Sequence, residues 1–196
     1  MKLVAIVGSA VRSGKTRAAV DRAVKAATDL EPEAEIAILD LAEHRVSILD
    51  GRPYYKYEDD TDYAVETIKS GSAFLIASPI YRGTYTGALK NLLDHAPLEA
   101  LEGRVVGLIA TGESPHHYLA IDHQFRGLLA WYNSFVLPGS VYVDRSAYDN
   151  GELTNQTVLA DLDELGRSIM TVATRLEGIA PKPDCLTRRM MGSRRG

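Results

Sequence analysis

Small and hydroxyl-bearing residues, interleaved with two basic ones, follow the first apolar run of the chain. Residues 8–16 read Gly-Ser-Ala-Val-Arg-Ser-Gly-Lys-Thr, and a helical pattern begins directly after them. Small residues allow a tight turn, and the free amides at the start of a helix attract an anion. Ser9, Arg12, Lys15 and Thr16 add side-chain donors, so this loop is expected to hold a phosphate group. A plain strand-to-helix turn is the alternative, but it does not explain the cluster of donors.

The same loop departs from the phosphate-binding loop of nucleoside triphosphatases. Five residues separate Gly8 from Gly14, one more than that template allows, and the extra residue would displace the amides that wrap a β-phosphate. The sequence also offers no convincing acidic residue at the end of a later strand to hold Mg²⁺. The loop therefore favours a terminal monophosphate over a nucleoside triphosphate.

A second candidate loop follows the apolar run at residues 73–77. Pro79 lacks an amide hydrogen and fixes the backbone where the strand ends. We expect the amides that follow it to be free to face the polar edge of a planar heterocycle. Tyr81 and Tyr85 offer flat apolar surfaces, although packing within the loop is the simpler role for an isolated tyrosine.

A third candidate loop, Ala110-Thr111-Gly112-Glu113-Ser114, follows the apolar run at 105–110. Gly112 permits close approach of the backbone, and Thr111 and Ser114 supply hydroxyl groups. If the three loops are adjacent, they can together hold a phosphate, a ribityl chain and a tricyclic ring.

The elements that must position these loops are strands alternating with helices. The first, third and fourth apolar runs are nearly continuous, which is typical of strands buried on both faces of a parallel sheet. Repeated alternation predicts an α/β fold, a doubly wound five-stranded parallel sheet with helices on both faces, which binds ligands beyond the carboxyl ends of its strands. The five runs are 3–7, 34–39, 73–77, 105–110 and 135–143.

Composition narrows the class of protein. The chain has 196 residues, a net charge of −4 and one cysteine. We expect one domain over residues 1–180 and a basic tail over 181–196. The acidic balance argues against binding to nucleic acid or to an anionic membrane. The lone Cys185 fits a reducing cytoplasm, and no apolar run approaches the roughly 20 residues of a membrane span.

Three other regions carry weaker signals. His116, His117 and His123 crowd one predicted helix, but no carboxylate or cysteine pattern completes a metal site, so none is predicted. The polar connection at 44–60, with three tyrosines, is either functional or a surface loop or subunit contact. Residues 144–152 read as a simple turn.

Several of these segments together resemble the NAD(P)H-dependent FMN reductase family, and most closely the flavin reductases of two-component sulfonate monooxygenase systems. The resemblance extends from residue 3 to about 145 and is carried by these motifs: Gly8-Ser9 with Arg12, Ser78-Pro79-Ile80-Tyr81, Gly87–Asp94 and Ala110-Thr111-Gly112. It implies a flavodoxin-like fold, bound FMN, and homodimers or homotetramers.

The resemblance also assigns residues by position. It implies that the FMN phosphate is surrounded by Ser9, Arg12, Lys15 and Thr16 of the first loop. It implies that the ribityl chain and ring are lined on one side by Pro79, Ile80, Tyr81 and Arg82. On the other side, the ring is approached by Thr111, Gly112 and Glu113. The first loop departs from the family pattern, so its register between Arg12 and Thr16 shifts by up to one residue. Glu113 stands where close relatives often have glycine. The helix with His123 is similar to one widened by an inserted residue, which implies a π-type turn and a role for His123 in flavin transfer.

The activity implied is hydride transfer from NADPH or NADH to N5 of FMN, with reduced flavin passing to a partner monooxygenase. The cofactor carries this chemistry, so no side-chain acid or base is expected to be catalytic. A quinone, azo or metal reductase that retains FMN is an alternative. An electron-carrying flavodoxin is another, although Arg12, Lys15 and the modest net charge weigh against it.

Overall fold

The computed structural model describes residues 1–12 and 14–181 of the chain. Ser13 and residues 182–196 lie outside the described residues, and with them Cys185 and nearly all of the predicted basic tail. The division between a domain over 1–180 and a tail therefore stays a prediction.

The centre of the molecule is a parallel β-sheet with the strand order β2-β1-β3-β4, followed at its far edge by β5 and β6. Every neighbouring pair in this sheet is parallel. This order is the doubly wound, flavodoxin-like one, so the predicted fold class is confirmed. The strands are β1 (Lys2–Val7), β2 (Glu35–Asp40), β3 (Ala73–Pro79), β4 (Val105–Thr111), β5 (Phe135–Val136) and β6 (Val141–Val143).

The fifth apolar run, 135–143, forms two short strands, β5 and β6, at the same edge of the sheet. β5 pairs with the start of β4 and β6 with its end. Between them, the Leu137 amide still donates to the Val106 carbonyl oxygen at 2.9 Å, and residues 138–140 leave the ladder. The amides of Phe135 and Leu137 both donate on the β4 side, at 2.9 Å each, so the amide position of Pro138 faces the open edge of the sheet, where a proline is tolerated. The guanidinium of Arg126 donates to the carbonyl oxygens of Leu137 and Pro138, at 2.8 and 2.6 Å.

Helices cover both faces of the sheet, as expected from the buried strands. Along β1, Leu3, Ala5 and Val7 pack against one layer of helices, whereas Val4 and Ile6 face the other. The first layer is α1 and α6, and the second contains α2 to α5. The helices are α1 (Lys15–Leu30), α2 (Thr61–Lys69), α3 (Gly87–His95), α4 (Leu98–Leu101), α5 (Arg126–Trp131) and α6 (Gln156–Arg175).

A π-helix over Ile121–Phe125 leads directly into α5. The widened turn implied by the family resemblance is therefore present. Ile121 and Phe125 are buried, and His123 is exposed.

Residues 144–152 form more than the simple turn expected. A 3₁₀ turn at Arg145–Ala147 leads into an antiparallel hairpin of β7 (Tyr148–Asp149) and β8 (Glu152–Leu153). Asn150 and Gly151 have φ angles of 48° and 88°, the conformation of a two-residue hairpin turn for which Asn-Gly is the preferred sequence. The hairpin carries Tyr148 to the start of α1.

The polar connection at 44–60 is anchored to α3. Asn91 Nδ2 donates to the carbonyl oxygen of Ser47 at 2.9 Å, and His95 Nε2 lies 2.9 Å from the same oxygen. Tyr57 is buried and meets the His95 ring edge to face. Within the part of the chain that the structure describes, no helix is both long and apolar enough to cross a membrane.

Candidate functional site

The three candidate loops meet at the carboxyl edge of the sheet and surround one open cavity of about 690 Å³. Ten of the eleven predicted site residues line it, and the exception is Arg12. The ten are Ser9, Lys15, Thr16, Pro79, Ile80, Tyr81, Arg82, Thr111, Gly112 and Glu113. A smaller cavity, about 490 Å³, lies at the opposite edge and is lined by none of these residues.

The first loop presents the start of α1 to this cavity. Gly14 precedes the helix and provides no side-chain cap. The amides of Lys15 and Thr16 have no hydrogen-bond partner among the described residues, because the first amides of a helix lack an intrahelical acceptor. Ser9 is buried, and its hydroxyl accepts from the Val11 amide at 3.1 Å. A helix start with free amides and a nearby ammonium group is suited to an anion.

Arg12 does not reach the cavity, contrary to the expectation that it surrounds a phosphate there. Its Nε donates to the carbonyl oxygen of Ala42 at 3.3 Å, on the far side of the first loop. Ala42 is itself held by Asp40, which accepts from the Ala42 amide at 2.9 Å and pairs with Arg17 at 3.0 Å. Sequence position alone cannot tell which way an exposed arginine turns.

Lys15 lies between Glu113 of the third loop and Tyr148 of the β7–β8 hairpin. Its Nζ is 3.1 Å from Oε1 of Glu113, and 5.6 Å from the centre of the Tyr148 ring. The Tyr148 hydroxyl donates to the Lys15 carbonyl oxygen at 2.8 Å, and burial raises the pKa of Tyr148 to about 12. The cavity therefore holds a cation and an anion in contact at its rim.

The second loop is a tight turn whose amides are less available than expected. The Ile80 amide donates to the Thr111 carbonyl oxygen at 2.8 Å, and the Tyr81 amide to that of Thr84 at 2.9 Å. Arg82 and Gly83 occupy the left-handed region, with φ of 56° and 83°. The prediction of free amides is wrong for Ile80 and Tyr81, because the turn and the neighbouring strand already use them.

The two tyrosines of the second loop take different positions. Tyr81 lines the cavity and is 53% exposed, so its ring is available to a planar ligand. Tyr85 meets Phe125 of the π-helix edge to face, with ring centres 5.2 Å apart. Tyr85 thus has the packing role that was the simpler expectation.

The third loop requires glycine at 112 for a reason internal to the protein. A Cβ atom there would lie 2.0 Å from Tyr142 Oη, and the Tyr142 hydroxyl donates to the Ser114 carbonyl oxygen at 2.7 Å. The Gly112 amide is also in use, donating to the Val143 carbonyl oxygen at 3.0 Å. Gly112 therefore makes room for Tyr142, and its amide does not face the cavity.

Threonine side chains connect the loops to one another. The Thr16 and Thr111 hydroxyl oxygens lie 2.7 Å apart in a buried position. The Thr86 hydroxyl donates to the Gly8 carbonyl oxygen at 2.5 Å, and its amide donates to Ser78 Oγ at 3.0 Å. The three loops are thus fixed relative to each other before any ligand contact is considered.

The eleven predicted binding residues leave out five residues of this site, although the sequence had already placed Gly14 in the first loop and Ser114 in the third. Four line the cavity, and Tyr148 contacts Lys15: Val11, Gly14, Ser114, His117 and Tyr148. Most are neighbours of predicted residues, and a wider window around each loop would have included them. The Asn150-Gly151 turn signal indicates the hairpin that carries Tyr148. No group of three or more metal-ligating side chains occurs in residues 1–12 and 14–181.

A family model described as NADPH-dependent FMN reductase matches residues 1–148. The NAD(P)H-dependent FAD/FMN reductase of Geobacillus thermodenitrificans is 34% identical over 171 residues, which cover 87% of this chain and 92% of that protein. The NADH-dependent FMN reductase SfnF of Pseudomonas putida is 35% identical over 114 residues, 58% of this chain and 60% of that protein.

A solved structure supports the fold. An oxidoreductase from Corynebacterium diphtheriae superimposes with a TM-score of 0.73 and 18% identity, covering 89% of this chain and 98% of that one. At this identity the likeness is one of architecture.

Proposed function

The chain belongs to the NADPH-dependent FMN reductase family, and we propose that it binds FMN in the cavity between its three loops and reduces it with NAD(P)H. The observation that carries the proposal is the convergence of ten predicted residues on one cavity of about 690 Å³. That volume is within the range of small-molecule and cofactor sites, roughly 300–1,000 Å³.

The residues present fit a flavin mononucleotide end to end. The free amides of Lys15 and Thr16, with the Lys15 ammonium group, suit the terminal phosphate. Pro79 to Arg82 form one wall for the ribityl chain and ring, and Thr111 to Glu113 form the other. Tyr81 supplies an exposed aromatic face beside that space.

The protein's part in the reaction is binding and orientation. When bound, FMN supplies the electron-accepting ring, which takes a hydride from the nicotinamide at N5. The loops fix the flavin by its phosphate and leave one side of the cavity open for a second planar ligand. We assign no side-chain acid or base to the step, because hydride transfer between these rings requires none.

Three further properties belong to this proposal. We propose a homodimer or homotetramer, because Tyr118 and Leu119, which follow the cavity-lining His117, and Trp131 at the end of α5 are exposed large apolar side chains. We propose a cytoplasmic location, because one cysteine fits a reducing compartment. We propose that reduced flavin passes to a monooxygenase, the role implied by the resemblance. Light scattering tests the first, and reconstitution with a flavin-dependent monooxygenase tests the last.

The test of binding compares FMN with riboflavin, which lacks the phosphate. Lys15→Ala is expected to weaken FMN binding about tenfold or more and to leave riboflavin binding nearly unchanged, since one charge-assisted contact is worth roughly 1.5–3 kcal/mol. Lys25→Ala, on the exposed side of the same helix, is the matched control. Equal losses for both flavins would contradict the placement of the phosphate.

The test of activity follows NADPH and NADH oxidation at 340 nm with added FMN. Turnover with either nucleotide supports a reductase, and its complete absence with both would overturn the proposal in favour of an electron carrier. Gel filtration then distinguishes two kinds of reductase. Loss of FMN on dilution indicates an enzyme that releases reduced flavin. Retention of FMN indicates a reductase that keeps its flavin and passes electrons to a quinone, azo compound or metal.

A further inference from the structure

The contact between Lys15 and Glu113 joins the first loop to the third across the cavity. The Nζ and Oε1 atoms are 3.1 Å apart, and the Lys15 and Glu113 side chains are 37% and 74% exposed. Both residues line the cavity.

Lys15 and Glu113 carry opposite charges in contact at this end of the cavity, and Arg82 of the second loop lines the same cavity. Arg12 is turned toward Ala42, which leaves Lys15 as the described cation of the first loop that faces the cavity. Glu113 offsets that cation. A phosphate dianion at the start of α1 must either separate Lys15 from Glu113 or lie beside a carboxylate. In both cases Glu113 lowers the gain from binding the phosphate.

We propose that Glu113 competes with the flavin phosphate for Lys15 and so keeps FMN weakly held and readily exchanged. The inference rests on the proposed function and deepens it, because it makes FMN a ligand that comes and goes. It also predicts reduced discrimination between flavins with and without the phosphate. Glu113 is thus a residue that sets affinity and specificity without taking part in the chemistry.

Glu113→Gln tests this by removing the charge while keeping the shape. Exposed ion pairs are worth up to about 1 kcal/mol, and repulsion of the dianion adds to that, so FMN should bind roughly three- to tenfold more tightly. Riboflavin should bind within about twofold of wild type. Because Glu113 is largely exposed, the variant is expected to fold.

The measurement is the dissociation constant and off-rate of each flavin, followed by flavin fluorescence at low ionic strength. Glu99→Gln is the matched control, because it makes the same charge change in α4, at the amino edge of the sheet. The gain from Glu113→Gln should shrink near 1 M salt, where the Debye length falls to about 3 Å. The same gain in FMN affinity should also be smaller when Lys15 is replaced by methionine, because that variant has no Lys15–Glu113 ion pair to break.

The outcomes separate this inference from the proposed function. Wild-type protein that binds neither FMN nor riboflavin would overturn both. Normal binding of FMN by wild type with unchanged or weaker binding by Glu113→Gln would overturn only the role of Glu113. An equal gain for riboflavin would do the same, because competition for Lys15 acts through the phosphate.

Discussion

The hydroxyl oxygens of Thr16 and Thr111 lie 2.7 Å apart, and each residue is only 3% exposed. Thr16 belongs to the first turn of α1, and Thr111 ends β4. One buried hydrogen bond therefore links the helix start proposed for the phosphate to the loop proposed for the flavin ring. Although both residues line the cavity, each is almost wholly shielded from solvent that could replace its partner.

Replacing Thr111 by valine should destabilise the protein although the shape is kept. The Thr16 hydroxyl would remain buried without a partner, at a cost of about 1–3 kcal/mol in the free energy of unfolding. The double variant Thr16→Val/Thr111→Val should lose less than the sum of the two single variants, because it leaves neither hydroxyl unpaired. Urea denaturation of the four proteins measures this, and strictly additive losses would contradict the link.

Much of this arrangement was accessible from the sequence. The nearly continuous apolar runs identified the central strands, since short runs of this kind between turn residues are typical of strands covered on both faces. In a parallel, doubly wound sheet, the loops that follow β1, β3 and β4 all lie at the carboxyl edge and are neighbours there. The loop residues came together for that topological reason.

The details that failed depend on contacts between distant segments. Whether the amides of Ile80 and Gly112 are free is decided by β4 and β6, which lie beside them only in the folded sheet. The direction of Arg12 depends on Ala42, and the need for glycine at 112 depends on Tyr142. None of these partners is near in sequence, so local patterns carry no information about them.

The turn at Arg82-Gly83 should be sensitive to substitution of its glycine. Gly83 has φ of 83°, and no atom lies within 4 Å of a Cβ built there, so Gly83→Ala introduces backbone strain alone. We expect a loss of about 1–2 kcal/mol in the free energy of unfolding. Gly87→Ala, also unobstructed but at the start of α3, is the control and should be neutral or stabilising. Similar losses at both positions would contradict the assignment to turn strain.

Stability should fall at alkaline pH because of buried tyrosines. Burial raises the pKa of Tyr148 to about 12, whereas the phenol of an unfolded chain titrates near pH 10. The folded state therefore binds the phenol proton more tightly than the unfolded state does. The contribution of Tyr148 to the free energy of unfolding is complete below about pH 10 and is lost as the pH rises toward 12. Burial raises the pKa values of Tyr132 and Tyr142 in the same direction.

Tyr148→Phe should make this alkaline fall shallower without removing it. The measurement is urea denaturation at intervals from pH 8 to 11.5, compared with Tyr55→Phe, whose side chain is exposed. A fall of unchanged steepness in Tyr148→Phe would show that the Tyr148 phenol does not contribute to it.

Arg126 should be essential to the interrupted edge of the sheet. Its guanidinium donates to the carbonyl oxygens of Leu137 and Pro138, which have left the β-ladder, and its Nε donates to Asp122 at 2.7 Å. Arg126→Lys cannot reproduce this forked geometry, because an ammonium group is a point charge. We expect a loss of about 2 kcal/mol in the free energy of unfolding and faster amide exchange over residues 135–143.

Asp122→Asn separates the two roles of this arginine. It removes the carboxylate charge from an exposed ion pair but leaves both carbonyl contacts possible, so its cost should be below about 0.5 kcal/mol. Hydrogen exchange over 135–143 should then remain close to wild type. The opposite outcome is that Asp122→Asn destabilises the protein as much as Arg126→Lys does. That result would show that the ion pair, and not the hydrogen bonds to Leu137 and Pro138, stabilises this edge of the sheet.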